Sequence, residues 1–225
     1  MNEKINPQDC CGCTACVSIC THDAISMHPD KEGFLYPVVN TDICVSCGLC
    51  ESVCPVLNRN KVENSPNQIA YKALRIKDKN LLKKSSSGGA FIVVATYVIN
   101  NGGVVCGAKY SDDAVVVHDF SETIEGLRVF MGSKYSQSDI RGIYKKIKDY
   151  LRTGRLVLFT GTPCQVHGLQ LYLRKQYENL ITLDLVCHAV PSPKIFKEYI
   201  DFCSKKLGGK VNSIDMRYII KDMLF

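Results

Sequence analysis

The chain has 225 residues, 46% hydrophobic and 22% charged, with thirteen cysteines and a formal charge of +6. Its longest apolar run, "AFIVVATYVI", is about half of what a membrane span needs, and the polar start "MNEKINPQDC" is not a signal peptide. Residues 1–66 carry four basic and eight acidic side chains, so the positive excess lies in the remainder; its basic residues do not interleave with aromatics, which excludes nucleic acid as a partner. Eight cysteines crowd into two groups before residue 55. That pattern is unlike a small disulfide scaffold and points to a reducing, cytoplasmic protein whose cysteines serve metal.

In chain order, Cys10, Cys13, Cys16 and Cys20 follow C-x2-C-x2-C-x3-C, and Cys44, Cys47, Cys50 and Cys54 repeat it 34 residues on, with Pro55 after the last. This is the bacterial ferredoxin run, in which the fourth cysteine of each run crosses to the other cluster. One [4Fe-4S] cluster is therefore expected on Cys10, Cys13, Cys16 and Cys54, and a second on Cys44, Cys47, Cys50 and Cys20. Zinc on C-x2-C pairs is the weaker alternative, because both runs carry the additional x3 step. Cys11 is a fifth thiol in "CCGCTACVSIC" and reads as a non-ligand, exposed or packed against the domain. Thr21 stands where a proline usually follows the fourth cysteine. Between the runs, "AISM" and "FLYPVV" predict a hairpin around "PDKEG".

The stretch "VLNRNKVENSPN" reads as a linker, giving a ferredoxin-type domain over 1–58, a linker over 59–68 and an α/β domain over 69–225. In that domain "IAYKALRI" predicts a strand, and "NLLKKSSSGGAFIVVATYVIN" a loop opening into an apolar helix. "GVVCGAKY" and "AVVVHDF" predict strands, and "SDIRGIYKKIKDYLRTG" a helix stopped by glycine. "RLVLFTGTPCQVHGLQLYLRK" and "ITLDLVCHAVPSPKIFKEYIDFCSKKLGG" each read as strand, loop and helix, with Ser192 as N-cap and Pro193 at the first helical position. The fold class is α+β: a dicluster ferredoxin-like domain followed by an α/β domain with a mostly parallel sheet.

Cys164 and Cys187 lie just past the carboxyl ends of consecutive strands, where such sheets form their binding crevice. The bland alternative is that both are small buried apolar residues. Cys203 shares a helical face with Phe196, Tyr199, Ile200 and Leu207, which predicts core packing, and Cys106 inside a strand reads as structural. "SSSGGAF" opens a helix with glycines and hydroxyls, which suits a phosphate or cofactor anion and equally suits a capping turn. His167 and His188 flank the cysteine loops; each reads first as a hydrogen-bonded structural residue.

Together, "SSSGGAF", "GSKYSQS", "FTGTPCQVHGL" and "DLVCHAVPSP" resemble the coenzyme F420 hydrogenase/dehydrogenase beta subunit family, and the cysteine block is similar to that of its bacterial members. The resemblance runs from about residue 5 to about residue 218. It implies an iron–sulfur flavoprotein carrying FAD, with coenzyme F420, a deazaflavin, as the carrier in methanogens. It implies a flavin or deazaflavin contact at Ser87, Gly88 and Gly89, and a cofactor role for Thr162 in the Thr162–Pro163–Cys164 loop. It also implies that Cys164 and Cys187, the latter with His188, are ligands of a third [4Fe-4S] cluster completed by a later C-x2-C pair. No such pair follows here.

The chain ends at Phe225, soon after the strand-like "SIDMRYII", where relatives continue. The resemblance thus implies a truncated or split chain whose C-terminal half is absent or separately encoded. The expected function is an oxidoreductase of F420 hydrogenase/dehydrogenase type, relaying electrons between two clusters and a flavin or deazaflavin acceptor, with a redox protein or such a carrier as partner. The alternatives are a ferredoxin-like carrier or docking subunit without catalysis and, further off, a regulatory metal-binding protein.

Overall fold

The computed structural model describes residues 7–59, 70–211 and 213–216. Near the N-terminus, a pair of cysteine loops leads into short helices, α1 (Ala15–Ile19) and α2 (Leu49–Ser52). The strands β1 (Ile25–Pro29) and β2 (Leu35–Val39) form an antiparallel hairpin between them, Ile25 opposite Val39 and Pro29 opposite Leu35. Alternation sets its faces: Ile25 and Met27 are buried while Ser26 and His28 are exposed. Asp30 holds the turn, its carboxylate accepting from the amides of Glu32 and Phe34.

Both cysteine loops repeat one backbone. Gly12 (φ +64°) and Ser46 (φ +54°) precede the second cysteine of each run, and Thr14 (φ +59°) and Gly48 (φ +73°) follow it. A non-glycine residue in this left-handed region costs about 1–2 kcal/mol. Thr14 and Ser46 therefore adopt it because the loops must curl around the space between their thiols.

The remainder is a layered α/β unit. Helix α3 (Lys79–Lys84) is capped by Asp78, which accepts from the amides of Asn80 and Leu81. Then come α4 (Ala90–Asn100), β3 (Val104–Tyr110), β4 (Val116–Ser121), α5 (Ile143–Arg152), β5 (Val157–Gly161), α6 (Pro163–Leu173), β6 (Leu180–Asp184) and α7 (Pro193–Leu207). The sheet order is β4-β3-β5-β6, with β3–β5 and β5–β6 parallel and β4 antiparallel on the edge. Side chains alternate across it. Val105 and Leu158 face α4, while Val104, Cys106, Val157 and Phe159 face α5 and α6. Ser192 caps α7 by accepting from the amide of Ile195, Pro193 follows, and Gly208 (φ +67°) ends the helix.

The face covered by α5 and α6 also takes in the cysteine-rich region. Cys13, Ala15 and Val53 share one hydrophobic core with Tyr144, Phe159 and Leu169. Val53 and Ala15 are fully buried, and burying a valine-sized side chain stabilises by roughly 1.5–3 kcal/mol.

Three local expectations need correction. Residues 70–76 of "IAYKALRI" form no strand. They lie along the entrance to α4, where the Ile76 amide donates to the Gly88 carbonyl at 2.9 Å and the Ile76 side chain packs in the second core. The helix in "SDIRGIY" begins only at Ile143, after Gly142 (φ +79°). Asp139 instead pairs with β4, exchanging backbone bonds with Val116 and His118. The Cys203 face is not core: Phe196 is buried, but Tyr199 and Leu207 are exposed and Cys203 only half-buried. Residues 60–68 of the expected linker and 217–220 of "SIDMRYII" fall outside the described residues, and 213–216 form no strand.

Candidate metal centres and the adjoining crevice

Cys10, Cys13, Cys16 and Cys54, together with Cys11, line one cleft of about 330 Å³, walled by Met27, Pro37 and Pro55. Cys10 and Cys13 come from the first loop, Cys16 from α1, and Cys54 from just beyond α2. Cys20, Cys44, Cys47 and Cys50 line a wider cleft of about 1030 Å³, with Ile25, Val39 and Leu49. The structure thus gathers one cysteine from each run into the quartet of the other. In the first cleft Cys13, Cys16 and Cys54 are at most 8% exposed, whereas Cys47 of the second is exposed. Among the described residues no three His, Cys, Asp or Glu side chains converge closely enough to hold a single metal ion.

Burial, reinforced by Cys10 and Cys54, pushes the Cys16 thiol up to about 12. Burial also raises Cys10, with Cys54 and Cys164 adding to it, and Cys50. Metal ligation needs such thiols deprotonated, so binding a metal here would release protons.

The inner cleft stands directly on α6. A Cβ at Gly168 would lie 3.1 Å from the Cys13 sulfur and 3.1 Å from the Tyr144 hydroxyl, and that hydroxyl donates to the Gln165 carbonyl at 2.7 Å. Gln137, just upstream, accepts from the Leu35 amide at 3.2 Å through Oε1 and packs against Gly12. Nothing in the sequence marks Gly168, Tyr144 or Gln137 as part of a metal site, because each meets the cysteine loops only through the tertiary fold.

Cys11 is half-buried and turned toward the α/β unit. The neighbouring Cys13 thiol, with burial, pushes it up to about 12, and Cys164 opposes. Cys164, the second residue of α6, also lies 3.1 Å from the Thr162 hydroxyl. The neighbouring Cys11 thiol, then burial, raises it well above the ordinary thiol range. Cys187 is exposed in the loop after β6, raised by burial and by nearby Cys164. His188 is exposed. His167 is partly buried, its Nε2 has no hydrogen-bond partner, and burial lowers its pKa.

The four motifs of the resemblance meet at the carboxyl end of the sheet. The Ser86 and Ser133 hydroxyls lie 2.9 Å apart. Gln165 donates through Nε2 to the Ser138 hydroxyl at 2.8 Å and accepts through Oε1 from the Thr162 amide at 2.9 Å. "GSKYSQS" therefore bridges the N-termini of α4 and α6. Gly88 and Gly89 have a packing reason: a Cβ at Gly88 would strike the Leu74 carbonyl, and one at Gly89 would press on Ile76. Lys134 spends its amine on the carbonyls of Val129, Met131 and Gly132, and burial lowers its pKa to about 8.

The 4Fe-4S dicluster domain family matches residues 9–58. With two thiol quartets gathered from paired runs, this is an iron–sulfur protein of the electron-transfer class. The family described as the C terminus of the coenzyme F420 hydrogenase/dehydrogenase beta subunit matches residues 154–224, across β5, α6, β6 and α7. The chain is thus similar to the dicluster domain family over 9–58 and to the coenzyme F420 hydrogenase/dehydrogenase beta subunit family over 154–224. No curated protein matches it. Among solved structures, a chain of the xenon-derivatised F420-reducing [NiFe] hydrogenase complex from Methanosarcina barkeri is similar at 24% identity and a TM-score of 0.46. The match covers 56% of this chain and 47% of that one, so the chain spans about half the length of this relative. Among the described residues no helix is long and apolar enough to cross a membrane.

Proposed function

We propose that Cys10, Cys13, Cys16 and Cys54 hold an inner [4Fe-4S] cluster, and Cys20, Cys44, Cys47 and Cys50 an outer one. The protein then acts as an oxidoreductase, passing electrons between a partner docked at the outer cluster and an acceptor in the α/β crevice. The observation that carries this reading is the burial gradient between the two quartets. Cys47 is open to solvent, whereas Cys13 is packed on Gly168 of α6, whose first turn borders the crevice. An electron carrier works in this order, with one site exposed to its partner and one site against the acceptor.

A flavin, FAD by the family's habit, is the proposed acceptor, and the F420 of the similar hydrogenase is its deazaflavin counterpart. The residues offering to hold it are Ser87, whose backbone is left-handed (φ +53°), Thr162 and the first turn of the eleven-residue helix α4, where the helix dipole favours an anion. Such a group, when bound, would exchange single electrons with a cluster and pairs with a hydride carrier. Other subunits of a redox complex are the proposed partners at the outer cluster.

One observation favours a second reading, a carrier or docking subunit without its own catalysis. The glycines of "SSSGGAF" already face Leu74 and Ile76, and the Lys134 amine is already spent on carbonyls. Iron, acid-labile sulfide and flavin content after anaerobic reconstitution decides between them. About eight irons per chain with one flavin supports the oxidoreductase, and about eight without flavin supports the carrier. Four or fewer would sink the crossed ligand sets, and about twelve would restore a third cluster on Cys164 and Cys187.

A further inference from the structure

Helices α5 and α6 end at one corner of the body, where Asn179, in the loop after α6, donates to the Leu151 carbonyl at 3.0 Å. A helix carboxyl end carries about half a negative charge, so two of them are offset by about one cation. This corner holds four: Lys148 and Arg152 on α5, Arg174 at the C-cap of α6, and Lys175 directly after it. Lys148 and Arg152 stand one turn apart on one face of α5. That face reaches α6, because the Lys148 amine lies over the Tyr172 ring at 5.1 Å. Lys175 lies over the Tyr177 ring at 4.5 Å. The rings hold both amines in place without neutralising them. Among the described residues none of the four has an ion-pair partner, whereas Lys145, one turn earlier on α5, has Asp23 at 3.9 Å. Lys148 registers the crowding: burial lowers its pKa, and Arg152, Arg174 and Lys175 push it further down against the pull of Asp149.

The patch ends on α2. Arg174 donates to the Ser52 hydroxyl at 3.2 Å, and Ser52 is exposed, two residues from Cys50 of the outer quartet and two from Cys54 of the inner one. We infer that this patch is the docking surface for an acidic electron-carrier protein, whose carboxylates meet Lys148, Arg152, Arg174 and Lys175 and whose redox group comes to rest beside α2. The partner's class rests on the electron-transfer reading, and its charge rests on the patch alone. Residues 1–66, with four basic and eight acidic side chains, do not attract such a partner. The body supplies the attraction, and it does so where it meets α2. Complementary charge of this kind acts mainly on the association rate, and salt screens it. Nucleic acid or an anionic membrane would also be drawn to cations, but neither gains anything from being held against the cysteine loops.

The test uses the full chain, reconstituted anaerobically, with oxidised flavodoxin, a small acidic carrier, immobilised as the probe. Association rates are measured at about 50 mM and about 300 mM salt, between which the Debye length falls by more than about half. The expected result is binding whose association rate falls about tenfold or more over that range. Arg152→Glu with Lys175→Glu should lower the low-salt rate by about tenfold or more, and Asp149→Lys should raise it. Lys205→Glu with Lys206→Glu, an equal change of net charge on α7, should leave the rate within about twofold of the wild type. All these positions are exposed, and thermal midpoints with iron content check that each variant keeps the fold. The inference is overturned if the wild-type chain with about eight irons fails to bind flavodoxin at low salt. A rate that ignores salt overturns it too, as do equal losses from the two double variants, which would make net charge the cause. Duplex DNA or phosphatidylserine vesicles binding the patch more tightly than flavodoxin would also overturn it, as would association of the chain with its own copies through these cations. A chain that binds flavodoxin through the patch while holding about four irons or fewer keeps the docking surface and sinks the two-cluster reading instead.

Discussion

The inner and outer cysteine quartets start from the same local code and end in different surroundings. Both use C-x2-C-x2-C-x3-C, both borrow one cysteine from the other run, and both curl their loops through left-handed residues at equivalent positions. The inner quartet is then sealed by Ala15, Val53 and helix α6, and the outer one is left facing water. Spacing thus decides what each loop can bind, and packing decides what the bound group can talk to. The flanks differ accordingly. Val53 beside the inner quartet is fully buried, whereas Val45 beside the outer one is 59% exposed.

The largest effects follow from breaking one quartet at a time. Cys54→Ser and Cys20→Ser should each cost about four of about eight irons. Their spectra after reduction should differ in a way that tests the crossing, because Cys20→Ser should lose the same signal as Cys47→Ser, not that of Cys13→Ser. Only Cys54→Ser should also lower thermal stability, by about 2–4 °C for each kcal/mol lost from the shared core. Next in size is the response to a chelator. Iron should leave in two phases of equal amplitude, the outer cluster first, since removing the inner one requires opening the core it shares with α5 and α6. A single phase would erase the distinction between the two sites.

How much of this was legible in the sequence depends on the range of the contact involved. The two quartets, the hairpin and the β5–α6–β6–α7 order are written in short-range spacing, periodicity and caps, and the fold follows them. "IAYKALRI" misleads because its alternation finds nothing to pack on: residues 70–75 are exposed and only Ile76 joins the second core. Helix α7 misleads because an apolar stripe says which side chains share a face and not whether anything covers it. The carboxyl-end crevice is intermediate: its motifs were readable, but the bonds joining Ser86 to Ser133 and Gln165 to Ser138 were not.

Acid sharpens the comparison through the body on which the inner site rests. His118 is buried against Phe159, with Nε2 on the Thr160 carbonyl at 3.0 Å and no hydrogen-bond partner for Nδ1. Burial lowers its pKa to about 4, with the Thr160 carbonyl and Asp139 opposing and Lys134 assisting. The unfolded chain therefore binds a proton that the folded chain refuses. The stability this neutral imidazole supplies is complete above about pH 6.5 and is lost toward pH 4, at about 1.4 kcal/mol per pH unit between them. Denaturation midpoints of the cluster-loaded protein from pH 7 to pH 5 should show this slope, and His118→Gln should flatten it. The inner-cluster signal should fade with the body, while the outer one should persist longer.

Gly168→Ala probes the contact between inner quartet and body more gently. The added methyl would press on the Cys13 sulfur and the Tyr144 hydroxyl, and overpacking of this kind costs about 1–3 kcal/mol. Its signature should be a changed inner-cluster spectrum with the outer spectrum untouched. Gly48→Ala, beside the outer quartet, meets open space and suffers only from its left-handed backbone, about 1–2 kcal/mol. It should alter the outer signal alone, and a variant that disturbed both would mean the two sites are mechanically joined.

The smallest effects belong to the polar ties on the surface between the cysteine-rich region and the body. Lys145 and Asp23 are 3.9 Å apart with both side chains more than half exposed, and Arg174 donates to the Ser52 hydroxyl at 3.2 Å in the open. Exposed pairs of this sort contribute about 0–1 kcal/mol, and salt screens the charged one. Lys145→Ala and Arg174→Ala should therefore shift the denaturation midpoint by no more than about 0.5 kcal/mol each and leave the iron count unchanged. The physical content of so small an effect lies in what it assigns to the core. If both surface ties can go without loosening the inner cluster, then Cys13, Ala15 and Val53, packed on Tyr144 and Leu169, hold the cysteine-rich region to the body. If either variant instead loses inner-cluster iron selectively, the attachment is electrostatic, and raising the salt concentration should release that cluster in the wild type as well.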